Sequence, residues 1–260
     1  MTLLCKPQSL TSLAFLLVAF SLSFAQNSNL AQADFYYALR AENSKNNMTD
    51  DKNIRKAIKH YNLALKDSGS EQEAAWKLLR AYYFLGCFAS PNSKIRFQIF
   101  EQAKKEGKHF LKMYPKNPEI AYWYSINLAL WGSSVNPAVA LKAGCIKETR
   151  EIAKMLIAQK DKEAVAHGYQ ILGRAHQKLP SIVFVSGWVK RDSAEYYFKK
   201  SLTLDPKDLA TRLFLAEFYK ENTREQELKS LLNPVLSQLP RSEYFLEDER
   251  NLIKIKKLLE

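Results

Sequence analysis

The stretch AEYYFKKSLTLDP, residues 194–206, spaces a small residue, an aromatic, a small residue and a proline at offsets of zero, four, seven and twelve: Ala194, Phe198, Ser201 and Pro206. On a helix the first three share one face. Ala194 lets a neighbouring helix approach, Phe198 fills the space beside it, and Pro206 ends the helix because it has no N–H and restricts the residue before it. The same spacing recurs at Ala103, Gly107, Phe110 and Pro115, and again at Leu228, Leu232, Val235 and Pro240. Ala57, Tyr61 and Ala64 match the first three positions, with Gly69 at the stop. Pro206 and Pro240 are 34 residues apart. Partner helices precede these segments: Trp76, Leu79 and Tyr83 in EAAWKLLRAYYFLG; Tyr169, Leu172 and Gly173 in HGYQILGRAHQKLP; Leu215, Ala216 and Tyr219 in LATRLFLAEFYKEN.

These residues resemble the tetratricopeptide repeat, a helix–turn–helix unit of 34 residues. The fold expected is all-α, a superhelical solenoid of degenerate tetratricopeptide-like helix pairs with irregular insertions. Each pair carries an apolar face that only its neighbours can cover. The last regular repeat is residues 209–242, followed by a capping helix at about 243–259 with Leu246, Leu252, Ile253 and Leu259 turned inward. Asp34 to Ser44 reads as an opening helix with Phe35, Tyr36 and Leu39 inward. ENSKNNMTDDKN reads as a polar linker or a long first turn. GCFASPNSKIRFQ, GSSVNPAVALKAGCIKE and PSIVFVSGW are the insertions.

Residues 1–25 read as a secretory signal. Lys6 precedes an apolar run from Leu13 to Phe24, too short to span a bilayer comfortably, and Ser23 and Ala25 occupy the small-residue positions of a cleavage site. The expectation is cleavage after Ala25, a single domain over 26–260, no stable membrane span afterwards, and a bacterial periplasm. Asn47 in NMT fits a glycosylation acceptor, which counts only in a eukaryote. Cys5 leaves with the signal. Cys87 and Cys145 remain, either as a disulfide in an oxidising compartment or as two small buried residues.

The order of motifs suggests a narrower likeness. Tyr122, Trp123, Asn127, Leu128 and Trp131 lie on one helix; Gly173, Arg174, Lys178, Leu179 and Pro180 precede an insertion containing Gly187. From about Asn53 to Lys220 this resembles the T-component family of tripartite ATP-independent periplasmic (TRAP) transporters. The resemblance implies a role in binding other envelope proteins, notably a periplasmic solute-binding protein, and a small apolar ligand held between helices. The sequence departs from that family in lacking a lipobox cysteine and in the apolar character of SIVFVSGWVK.

Catalytic signatures are not found. His60, His109, His167 and His176 include no pair at i, i+4, and there is no Cys-x-x-Cys. GYQILG has P-loop glycine spacing but continues Arg174-Ala175 where Lys-Ser/Thr is needed. Asp50-Asp51 and Glu247-Asp248-Glu249 read as solvated helix ends. The reading is therefore a non-enzyme without cofactor or metal.

Binding positions follow from the repeat frame. The first helix of each pair lines the inner surface, which turns Lys77, Tyr122, Gln170, Arg174, Glu217 and Lys220 inward. Lys77, Arg174 and Lys220 suit an acidic peptide or a carboxylate. Trp131 and Trp188 border insertions, where functional residues gather. The alternative is a carrier of a small apolar or carboxylate ligand between the helices. The formal charge of +12 is spread at helical spacing, as in Lys104, Lys105 and Lys108, which reads as a solvated face rather than a nucleic-acid site. Oligomeric state and partner identity are not encoded in these patterns.

Overall fold

A computed structural model describes residues 28–182 and 186–260. The expected signal with its cleavage site, residues 1–25, lies outside the described residues, as do residues 183–185 of the third insertion. Among the described residues twelve α-helices follow one another: α1 (Asn29–Ala38), α2 (Lys52–Ala64), α3 (Glu71–Phe88), α4 (Ser93–Met113), α5 (Pro118–Ser133), α6 (Pro137–Lys142), α7 (Cys145–Ile157), α8 (Lys162–Lys178), α9 (Ser193–Leu204), α10 (Leu209–Glu221), α11 (Glu225–Leu232) and α12 (Phe245–Leu259). The same residues form no strand, only an isolated bridge between Lys45 and Met48. None of their helices is long and apolar enough to cross a membrane.

The helices pack as α1/α2, α3/α4, α5/α7, α8/α9 and α10/α11, and α3, α5, α8, α10 and α12 contact one another in turn. This is the all-α superhelical solenoid. The repeating positions are buried in four of the five pairs, all but α5/α7: Ala57, Tyr61 and Ala64; Ala103, Gly107 and Phe110; Ala194, Phe198 and Ser201; Leu228, Leu232 and Val235. Their small members set the helix spacing. A Cβ on Gly173 would lie 2.5 Å from Phe198 Cδ1, and one on Gly107 would lie 2.4 Å from Tyr124 Cδ2. Only glycine lets α8 meet α9, and α4 meet α5, at this distance. Sharp starts come from side-chain caps: Asn92, Asn117, Asp161 and Asp208 each accept from first-turn N–H groups of α4, α5, α8 and α10.

Several boundaries differ from the sequence reading. The first helix begins at Asn29 and ends in a 3₁₀ turn, Leu39–Ala41; Ala33, Tyr37 and Arg40 are buried, whereas Phe35 is 61% exposed. The buried stripe runs i, i+4, i+7, and Phe35 lies off it. GCFASPNSKIRFQ is taken up by lengthening α3 and α4, with only residues 89–92 between them. GSSVNPAVALKAGCIKE contains α6, capped by Asn136, then Gly144 at φ +77, then the start of α7. In α12, Leu246, Leu252 and Ile255 are buried while Ile253 is 53% exposed, because a stripe through 252 and 255 leaves 253 on the opposite side.

Two apolar clusters result. One spans α1 to α8 and includes Leu246; the other joins α9 to α12 and includes Leu252 and Ile255. One helix, α12, contributes to both. Cys87 and Cys145 are free thiols on α3 and α7.

Candidate functional site

The inner helices are joined by a row of polar side chains. At one end Lys77 of α3 reaches Asp34 Oδ2 of α1 and Glu73, each at 2.6 Å, and the Tyr61 hydroxyl donates to Asp34 Oδ1 at 2.7 Å. Next, Asn127 Nδ2 of α5 donates to the Leu79 carbonyl of α3 at 2.9 Å. Between α5 and α8, the Tyr122 ring stacks on His167 at 3.5 Å, 5° from parallel, and its hydroxyl lies 3.4 Å from Gln170 Oε1. Between α8 and α10, Gln170 Nε2 donates to Asp208 Oδ2 at 2.6 Å and Thr211 Oγ1 at 2.8 Å, and Arg174 Nη1 donates to Glu217 Oε2 at 2.6 Å. The Arg174 guanidinium also covers the Phe214 ring at 4.2 Å. At the far end Lys220 Nζ lies 3.3 Å from the Leu258 carbonyl of α12 and 3.5 Å from Glu225.

All six inner-face positions thus belong to this row, and Tyr122, Gln170, Arg174 and Glu217 are consecutive in it. Their accessibility differs. Lys77 and Gln170 are buried and engaged, whereas the side chains of Arg174, Glu217 and Lys220 are 35%, 26% and 44% exposed. Burial against the ring of Tyr122 holds the His167 imidazole down to about 4 and the Tyr122 phenol well above its usual value. Both are neutral near pH 7, so among the six positions the solvent-facing polar groups are Arg174, Glu217 and Lys220.

The two insertion tryptophans lie elsewhere. Trp131 is 4% exposed, and Lys104 Nζ sits 3.2 Å above its ring. Trp188 meets His176 edge-on at 5.2 Å, and the Lys190 N–H donates to His176 Nδ1 at 2.9 Å, which ties the insertion to α8. Ser186 closes the insertion on itself, donating to the Pro180 carbonyl at 2.5 Å.

The sequence reading missed a second constellation. Glu247-Asp248-Glu249 is not a solvated helix end: Asp248 is 1% and Glu247 8% exposed. Arg241 pairs with Asp248 through two bonds of 2.7 and 2.9 Å, while Arg40 donates to the Glu243 carbonyl and lies 3.9 Å from Glu247. Arg250 donates to the carbonyls of Asn47 and Cys87 at 3.1 and 2.9 Å and covers Phe88 at 3.7 Å. Asn47 Nδ2 returns a bond to the Leu246 carbonyl at 2.9 Å, so the sequon amide is engaged. Residues 241–250 therefore lie against the ends of α1 and α3. The only sequence signal was a mixed-charge run on a helix whose apolar stripe is too sparse for a plain cap.

Among the described residues no group of three or more His, Cys, Asp or Glu side chains could hold a metal ion. Two open grooves of about 530 and 550 Å³ lie on other faces, one over Ile58, Tyr82 and Ile99, the other beside Lys104, Lys108 and Tyr124.

The model of the family described as "Regulator of microtubule dynamics protein 1-3" matches residues 38–176. No curated protein matches the chain. The crystal structure of a thermophilic TPR protein of Thermus thermophilus superposes with a TM-score of 0.60 at 17% identity, covering 90% of this chain and 99% of that one. It is a neighbour in fold, and it identifies the helix pairs as tetratricopeptide-like.

Proposed function

We propose that the chain, which belongs to the family described as "Regulator of microtubule dynamics protein 1-3", is a helical-repeat scaffold that binds other proteins along its inner helices. The observation that carries this reading is the row from Tyr122 to Glu217. It fixes Arg174 and Glu217 by a 2.6 Å ion pair yet leaves both side chains partly open to solvent. Held polar groups beside an aromatic ring lose little freedom on binding and so favour recognition. Solenoids present such faces to extended partners.

The finer reading is an exported protein whose partner is the solute-binding protein of a TRAP transporter. Its supports are the leader-like residues 1–25 and the motif order from Tyr122 to Lys220. The name of the family supports a different partner, one of the microtubule system. Crosslinked capture from the native host with the unaltered chain and with Arg174→Glu tests the scaffold and separates the partners. The expected result is one protein enriched by the unaltered chain and lost with the variant, its identity deciding between the readings. Equal capture by both would remove the inner face from the account. No capture, with a small molecule retained in native mass spectrometry, would replace the scaffold by a carrier.

A further inference from the structure

The surface under residues 241–250 has unusual chemistry for ground covered by a packed helix. On one side are Arg40, 6% exposed, the Phe88 ring, and the carbonyl oxygens of Asn47 and Cys87. On the other are Leu246, fully buried, Glu247 and Arg250, at i, i+1 and i+4 of one helix face. Leu246 enters the α1–α8 cluster, and Arg250 finds three oxygen acceptors, including Asn47 Oδ1. The acid fits poorly. Both Glu247 carboxylate oxygens are buried without a hydrogen-bond donor, and Arg40 Nε and Arg80 Nε are buried without an acceptor. The Arg40 and Arg80 guanidinium groups each cover the Tyr37 ring at 4.2 Å, and Arg40 lies 3.9 Å from Glu247, so two guanidinium groups and a carboxylate gather around Tyr37 with these bonds not completed. Buried polar groups in folded proteins are satisfied as a rule, and exceptions call for an explanation.

We propose that this surface is a binding site for an amphipathic helix of a partner protein bearing the pattern Leu-Glu-x-x-Arg, and that the chain's own Leu246-Glu247-Asp248-Glu249-Arg250 occupies it until displaced. The seated segment defines the chemistry of the occupant: an apolar residue for the α1–α8 cluster, a carboxylate for Arg40 and Arg80, and a cation for the carbonyl oxygens beside Phe88. A partner helix free to settle in its own register completes the guanidinium bonds that Glu247 leaves open. Glu247 cannot settle, because Leu252 and Ile255 fix α12 on α10. Tethering gives the internal segment a high effective concentration; its unmet bonds offset part of that advantage. Displacement peels residues 241–250 and leaves Leu252 and Ile255 in place. The proposal extends the scaffold reading to a second surface, away from Arg174 and Glu217.

The test uses a fluorescent synthetic peptide of residues 241–260 as the partner surrogate, titrated by anisotropy against the full chain. The unaltered chain, self-occupied, is expected to bind weakly. Leu246→Ser with Arg250→Ala, which frees the seat, is expected to bind about tenfold more tightly, as removal of a competing tethered segment requires. Adding Arg40→Gln should abolish the gain. Far-UV circular dichroism checks that the variants keep their helix content. Hydrogen exchange on the unaltered chain gives an independent reading: amides of 243–250 should exchange faster than those of α10, and faster still with saturating peptide. No peptide binding to the freed variant, binding indifferent to Arg40→Gln, or exchange in 243–250 as slow as in α10 and unmoved by peptide would each overturn the proposal. Loss of capture with Arg174→Glu would stand in any of these cases, so the two readings fail separately.

Discussion

Gly173→Ala is the sharpest test of how the repeat is built. A methyl group placed there would lie 2.5 and 2.6 Å from Phe198 Cδ1 and Cε1. Carbon atoms in contact normally stand about 3.5–4.0 Å apart, so the ring or α8 must move by about 1 Å. Phe198 is fully buried and faces Phe214 at 6.2 Å, which leaves the ring no free direction. Overpacking of this kind costs about 1–3 kcal/mol. Against it stands helix propensity, which favours alanine over glycine in a helix interior by about 1 kcal/mol. The net expectation is destabilisation by about 1 kcal/mol, seen in urea unfolding followed by circular dichroism as a lower midpoint at unchanged slope. Two controls separate the terms. Gly132→Ala, where the nearest atom is Ala140 Cβ at 3.9 Å, should be neutral or stabilising. Phe198→Leu should be less harmful in the Gly173→Ala background than in the unaltered chain, by about 1 kcal/mol in a double-mutant cycle. A Gly173→Ala protein more stable than the unaltered chain, or a cycle without coupling, would refute the claim that glycine sets the α8–α9 distance.

Further outcomes follow from the charged groups. Arg224 donates to both oxygens of Glu195 and holds its carboxyl down to about 2; the pair's stabilisation is therefore full above the unfolded carboxyl value near about 4.3 and lost as pH falls toward 2. Glu195→Gln should lower the thermal midpoint at pH 7, at a cost of about 1 kcal/mol, and make a much smaller difference as the pH approaches 2. Burial holds His167 down to about 4, so the unfolded chain takes up the proton first, near about pH 6.5, and stability drops from there to pH 4; an imidazole resonance titrating at that unfolded value in the folded protein would contradict this. Burial pushes the Cys87 thiol up to about 11 and raises Cys145, so both should label slowly with iodoacetamide at pH 8 and fast in urea, read by peptide mapping.

The helix pairs were legible because their spacing rule is local. Ala194, Phe198, Ser201 and Pro206 lie within one helix and its stop, and packing two helices closely demands a small residue wherever the chain puts it. Phe35 and Ile253 were misassigned because a terminal helix meets neighbours on one narrow stripe, and apolar residues beside that stripe look the same in sequence. The polar row was half legible: the repeat frame turns Tyr122, Gln170, Arg174 and Glu217 to one side, but nothing in the chain says that Gln170 and Lys77 are buried. The pairing of Arg40 with Glu247 and of Arg250 with Asn47 was not legible at all. It arises only when the curvature of five helix pairs brings α12 back to the first of them.

That return has a consequence for the order in which the protein is made. Repeat stacks are ordinarily assembled from neighbours, each pair closing on the one before as it leaves the ribosome. Here Arg40 and Asn47 find their partners about 200 positions later in the chain. Leu246 cannot join the α1–α8 cluster until all the intervening helices have been synthesised. The first pair thus spends that stretch of translation with its seat vacant, and contacts of such long sequence separation are the slowest to form. A nascent chain that stalls before residue 241 carries this pair without the contacts that residues 241–250 supply.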